Sequence, residues 1–190
     1  ALAFAALARW FAMHAQPDAA RAAINRASEL AQVSTERERS HIARLIETFS
    51  GSAELAISGV LQHLDTWPRD VVILSLPLGA FGLYAFSGMR DHNQAKAELC
   101  TRLAPQFASD DWWFLTYHGW SIAENGEVSS GRAMLERAMS IRDFNANGAH
   151  ALAHCMAEAG ESEPLARFIS DWLPKYDRSG ILHGHIAWHK

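Results

Sequence analysis

Histidines are concentrated near the C-terminal end of the sequence. Five of the ten histidines lie in two stretches, HALAH at 150–154 and HGHIAWHK at 183–190. His150 and His154 are four residues apart, and His185 and His189 have the same spacing. On an α-helix this spacing places both members of a pair on one face. Two such pairs supply four imidazole nitrogens, enough for zinc or another transition metal.

The same region also offers groups for acid–base chemistry. Glu158 follows His154 by four residues, so His150, His154 and Glu158 share one helical face. Neutral imidazoles near pH 7 can accept and return protons, which makes an enzyme based on these three residues an alternative interpretation. The sequence contains no GxSxG, HExxH, Walker or dinucleotide-binding glycine motif. The reaction classes that depend on those motifs are therefore not indicated.

Composition limits the partners that we expect. The chain has 190 residues, a net charge of −4 with histidine neutral, and no cluster of lysines and arginines. This charge does not favour nucleic acid or an anionic membrane surface. No apolar run reaches the roughly 18–20 residues of a membrane-spanning helix. Cys100 and Cys155 lack metal-type spacing and fit a reducing compartment, so we predict a cytoplasmic protein.

Helical periodicity, interrupted by short turns, extends along almost the whole chain. It predicts about eleven helices and no strands. Pro17 is expected in the first turn of one helix, and Thr35 and Glu38 form a capping box at the start of another. The apolar stretch VVILSLPLGAFGLYAF at 71–86 is interpreted as part of a buried, kinked helix over 70–87.

The helices recur with the period of tetratricopeptide repeats, which is roughly 34 residues. Gly119 and Ala153 are separated by one such period, and one further period leads to Ala187. The predicted fold is all-α, with helix-turn-helix repeats stacked as a tetratricopeptide-like right-handed α-solenoid. The clearest repeats are 1–33, 112–145 and 146–179, followed by an incomplete repeat at 180–190. We expect one helical-repeat domain over 1–190 that is a piece of a longer array.

The part of the sequence from about 70 to 190 resembles the tetratricopeptide repeat protein 38 family. The resemblance rests on the stretches GLYAFSGMRDHNQAKA, GAHALAHCMAEAGE and LHGHIAWHK, in this order and spacing. These include Tyr84-Ala85-Phe86, the His150/His154 helix and the Trp188-His189 pair. The resemblance implies a helical-repeat protein. It implies no particular reaction, cofactor or set of catalytic residues.

The register of the repeats argues against a regular tetrad of histidines. Trp188 stands one period after His154, and Trp120 stands one period before it. His185 and His189 are rotated by one residue from this column, or roughly 100° around the helix. The register predicts a groove for a ligand instead. Its lining would be Trp113, Thr116, Trp120, His150, His154, Glu158, His185 and Trp188. The alternative is that these histidines and tryptophans only pack the helices together.

The leading prediction is a helical-repeat binding or scaffold protein, and an enzyme that uses His150, His154 and Glu158 for acid–base or metal-assisted chemistry is the alternative. Its groove would take a peptide, a protein or a small polar ligand. No resident cofactor is predicted. The alternative is a zinc or other transition-metal site formed by His150, His154, His185 and His189. Four other histidines are expected at helix ends or on the surface, exposed to water: His14, His41, His63 and His92.

Overall fold

The computed structural model describes residues 1–79 and 81–190, and every regular element in this part of the chain is helical. The α-helices are α1 (Leu2–Met13), α2 (Pro17–Leu30), α3 (Glu36–Phe49), α4 (Ala53–Thr66), α5 (Val71–Leu74), α6 (His92–Leu103), α7 (Trp112–Glu124), α8 (Val128–Ile141), α9 (Ala146–Glu158), α10 (Ser162–Trp172) and α11 (His183–Trp188). Short 3-10 turns span Ala31–Val33, Leu83–Phe86, Ala104–Gln106 and Leu173–Lys175. The prediction of an all-α chain with about eleven helices is confirmed. No helix in the described part is long and apolar enough to cross a membrane.

Local sequence signals explain several helix starts. Pro17 occupies the first position of α2, where its missing N–H has no intrahelical acceptor to lose. The predicted capping box is present at α3: the Glu38 amide donates to Thr35 Oγ1, and the Thr35 amide donates to the Glu38 carboxylate. At α7, Asp111 accepts a hydrogen bond from the Phe114 amide at 3.0 Å.

The predicted helix over 70–87 is wrong. The structure has only the single turn α5, and a 3-10 turn at Leu83–Phe86 follows later. Pro77 has no N–H to continue the helix, and Gly79 has a φ of 81°, a left-handed conformation that suits glycine. The Leu83 amide donates to the Leu76 carbonyl at 2.8 Å. Part of the predicted helix falls on residue 80, which lies outside the described residues.

The chain divides into two compact units, Ala1–Arg90 and Asp91–Lys190. In the first unit α1 packs on α2, α2 on α3, and α3 on α4. In the second unit each helix from α6 to α10 packs on the next, α7 also contacts α9, and α11 contacts α9. The assignment of the whole chain to one repeat domain stays a prediction.

The second unit contains the region with most of the candidate site residues. Helices α7 and α8 approach so closely that a Cβ atom on Gly119 would lie 2.8 Å from the Gly131 carbonyl oxygen. Small residues at this crossing let the paired helices pack closely. The core of this unit brings together Trp120, Leu135, Leu152, Leu165, Ile169, Trp172 and Ile186. This core holds α9 between α7, α10 and α11.

Candidate functional site: a four-histidine cluster and its neighbouring cavity

Four histidines converge in the second unit: two from α9, one from α11, and His189, which directly follows α11. One ligand atom from each of His150, His154, His185 and His189 lies within 4.8 Å of every other. The ring centroids of His150 and His185 are 4.6 Å apart, and those of His154 and His189 are 4.5 Å apart. The four residues predicted as the alternative metal ligands therefore form one cluster.

The nitrogens within the cluster have few other hydrogen-bonding partners. His150 Nε2 and His154 Nε2 face each other at 3.0 Å. His189 Nε2 is buried and has no hydrogen-bond partner within the described chain. Buried polar atoms are nearly always paired, so an orphaned imidazole nitrogen beside three other imidazoles marks a position that suits a cation. His185 is the exposed member and forms the solvent side of the cluster.

Burial and mutual repulsion keep most of these rings neutral. Burial, together with the neighbouring histidines, lowers the pKa of His150 to about 3. Burial also lowers the pKa of His154, although the carboxylates of Glu124 and Glu158 oppose this effect. The pKa of His189 is lowered by burial and by the nearby histidines. A neutral imidazole has a free lone pair, and this is the form that binds metal.

Ile186 explains why His185 and His189 face the cluster. The Ile186 side chain is fully buried in the core of the second unit. His185 precedes it by one residue and His189 follows it by three, so both flank the buried face of α11. Trp188 lies two residues after Ile186, on the opposite side, and is 79% exposed.

The four histidines therefore converge although the repeat register predicted that they would not. Helices α7 and α9 start one repeat period apart, at Trp112 and Ala146. One further period would start α11 at Gly180, but this helix starts later, at His183. This offset changes which residues of the last helix face α9. Of the three residues in the predicted column, Trp120 is buried, His154 is half-buried and Trp188 is exposed.

The eight residues predicted to line one groove are not brought into one cavity. Trp120 is 5% exposed, and its ring contacts those of His150 and His154, with centroid distances of 5.2 and 6.4 Å. Trp113 and Thr116 line a separate cavity with Tyr176. Trp188 is exposed, and the remaining members divide between the histidine cluster and the cavity described next.

A cavity of about 300 Å³ adjoins the histidine cluster. His154 belongs to both, and Glu158 lies in the cavity wall with it, whereas His150 is not part of the wall. The three proposed acid–base residues therefore do not share this cavity. Its lining comes from α6, α7, α9 and the start of α8: Asn93, Trp120, Ala123, Glu124, Gly126, Val128, Ala151, His154, Cys155 and Glu158.

A buried polar network in the first unit was missed in the sequence. The prediction that His41 and His63 are exposed to water is wrong, since they are 5% and 1% exposed. Asp70 Oδ2 accepts from His41 Nδ1 at 2.9 Å and lies 3.3 Å from His63 Nε2. Ser40 Oγ lies 2.8 Å from His63 Nδ1, which completes a Ser-His-Asp chain. Because the His63 side chain is fully enclosed, no substrate reaches its ring, and the network supports the fold.

The charge at the centre of this network is fixed. Burial alone would raise the pKa of Asp70, but the hydrogen bonds and the electrostatic interaction with His41 and His63 outweigh it and hold that pKa far below its usual value. Arg37 Nε adds a more exposed positive group 3.6 Å from the carboxylate. The sequence offers no local signal for this arrangement, because the partners lie 29 and 7 residues away from Asp70.

No family model, curated protein or solved structure matches the chain. The resemblance to the tetratricopeptide repeat protein 38 family stays a prediction from the motifs quoted above.

Proposed function

We propose that this protein binds a divalent transition metal ion of the zinc class through His150, His154, His185 and His189. The observation that carries the proposal is the convergence of four ligand atoms within 4.8 Å from α9 and from the C-terminal segment formed by α11 and His189. In a tetrahedral zinc site with Zn–N bonds of about 2.0–2.1 Å, the nitrogens lie about 3.3 Å apart. The His150–His154 pair has a separation of 3.0 Å, which is close to this value, and the other two rings would have to turn to bring their nitrogens from within 4.8 Å to the same spacing.

The donor set favours a metal that accepts imidazole. Zinc, copper and nickel bind imidazole well, whereas calcium and magnesium prefer oxygen ligands. The two thiols do not compete, because burial raises the pKa of Cys100 to about 12 and that of Cys155 to about 11 and keeps both protonated. Four protein ligands leave no vacant coordination position, which is typical of a structural site and not of a catalytic one. The metal would join α11 to α9.

A metal titration tests the proposal. Protein freed of metal with a chelator should bind one Co²⁺ and give the intense visible absorption of tetrahedral coordination, and Zn²⁺ should displace it. The double variant His185→Ala/His189→Ala should lose this binding by about 100-fold or more, because two ligands are removed. His183→Ala is the matched control, since His183 lies in α11 outside the cluster. Equal metal binding by the double variant and the control would refute the proposal.

We also propose that the helix pairs form a tetratricopeptide-like array that serves as a scaffold for a peptide or protein partner. Two periodicities support this assignment: α7 and α9 start one repeat period apart, and so do α8 and α10. Each helix in this region packs on the next along the chain, as repeat pairs do. A cytoplasmic location remains part of this proposal.

Pull-down experiments with the Trp188→Ala variant test the proposed binding of a partner, since Trp188 is the large exposed aromatic next to the histidine cluster. Unchanged partner capture by that variant would argue against a binding face at this position.

A further inference from the structure

The cavity beside the histidine cluster contains two buried polar atoms without partners. Trp120 is only 5% exposed, and its Nε1 has no hydrogen-bond acceptor within the described chain. Asn93 Oδ1 is likewise buried and lacks a donor, while its Nδ2 donates to the Glu124 carbonyl at 3.2 Å. Such unpaired groups are rare in native proteins, because each retains the cost of its lost hydration. Both residues belong to the wall of the same cavity.

The charges of the cavity wall have one sign. Glu124 and Glu158 line the cavity, and no lysine or arginine of the described chain does. Glu124 is paired with the buried Lys96, whose positive charge offsets most of the negative charge of Glu124. Glu158 forms no ion pair among the described residues, so its negative charge remains to attract a cation.

These features define the ligand by its chemistry. The carboxylate of Glu158 and the carbonyl oxygen of Asn93 require a donor, best supplied by a positively charged amine. The indole N–H of Trp120 requires an acceptor, such as a hydroxyl or carbonyl oxygen. A volume of about 300 Å³ fits a small molecule and excludes a folded segment. Aromatic surface from Trp120 also favours a cation over an anion.

We propose that this cavity is a binding site for a small organic ammonium ion that carries a hydrogen-bond acceptor oxygen. The site goes beyond the proposed metal function and shares only His154 with it. It does not depend on the metal, because neither Trp120, Asn93 nor Glu158 belongs to the histidine cluster.

Three probes of matched size test this inference: 3-aminopropanol, 1,3-propanediol and 3-hydroxypropanoate. Each is titrated into the full chain, and backbone and indole N–H chemical shifts are recorded by NMR. We expect saturable shifts of the Trp120 indole signal with 3-aminopropanol, and binding at least about tenfold weaker for the neutral and anionic probes. The Glu158→Gln variant should lower the affinity for 3-aminopropanol by about tenfold, since one charge-assisted contact is lost. The Glu163→Gln variant, an exposed acid of α10, should leave it unchanged.

The titrations are repeated with chelator present and with the His185→Ala variant. These conditions separate a failure of the proposed ammonium site from a failure of the proposed metal site. Retained binding of 3-aminopropanol in metal-free protein supports the cavity site whatever the outcome of the metal titration. Equal affinity for 3-aminopropanol and 1,3-propanediol would overturn the inference. So would equal effects of Glu158→Gln and Glu163→Gln, or the absence of saturable shifts for all three probes.

Discussion

At the scale of single residues, Asp70 links pH to the stability of the first unit. Its carboxylate is buried against His41 and Arg37 of α3 and His63 of α4. Because its pKa is lowered in the folded chain, the carboxylate contributes its full stabilisation above the unfolded pKa of about 3.9. This contribution decreases as the pH falls below about 4, where the unfolded chain takes up the proton first.

We therefore expect Asp70→Asn to destabilise the first unit by about 2–3 kcal/mol at pH 7. The difference between wild type and variant should shrink as the pH is lowered below about 4, because protonation removes the same charge from the wild type. Urea unfolding, monitored by the hydrogen exchange of peptides from α3, measures both effects. Asp18→Asn, at an exposed site of α2, should change stability by less than about 0.5 kcal/mol. A pH-independent difference would contradict the role assigned to the Asp70 charge.

The residues differ in how far sequence alone could place them. The spacing of four predicted correctly that His150 and His154 share a face, since this follows from helix geometry alone. The partnership of Asp70 with His41 could not be predicted, because it depends on how α3 and the turn before α5 pack. Local periodicity carries no information on such contacts between elements.

At the scale of elements, α11 is the helix whose position matters most. It has only six residues, too few for stability without tertiary contacts. Its starting point could not be read from the repeat period, since the segment between α10 and α11 delays it to His183. The apolar stretch at 71–86 failed as a helix for a similar reason: apolar composition predicted burial, but Pro77 and Gly79 turned the chain.

Ile186 and Trp188 of α11 are expected to differ in their effect on metal affinity. We expect Ile186→Ala to weaken metal binding by about tenfold or more, because the helix loses the buried contact that orients His185 and His189. Trp188→Ala should leave metal affinity within about twofold, since that side chain is 79% exposed. Competition titrations with Zn²⁺ and a chromophoric chelator provide the measurement. Comparable losses for the two variants would show that α11 is held by its exposed face.

At the scale of the whole molecule, the two units depend on different interactions. The first unit contains the Asp70 network, and the second contains the four-histidine cluster. The all-α class and the approximate helix number followed from periodicity, which is a local property of the sequence. The division of the chain after Arg90 could not be predicted from periodicity, because this division depends on which helices pack against each other.

We expect the two units to respond separately to metal and to loss of the Asp70 charge. On the proposed metal site, Zn²⁺ would bind only the folded second unit, so it should slow hydrogen exchange in α9 and α11 by a factor that grows with free metal concentration. Peptides from α3 and α4 should be unaffected by Zn²⁺ and should exchange faster in Asp70→Asn, where α9 and α11 should keep their wild-type rates. Hydrogen exchange is carried out on the full chain with and without chelator. Digestion after the exchange, followed by mass spectrometry of the peptides, resolves these regions in one experiment. If Asp70→Asn accelerated exchange equally in α9, the two units would unfold together, and the separate roles assigned to the two histidine-rich sites would be wrong.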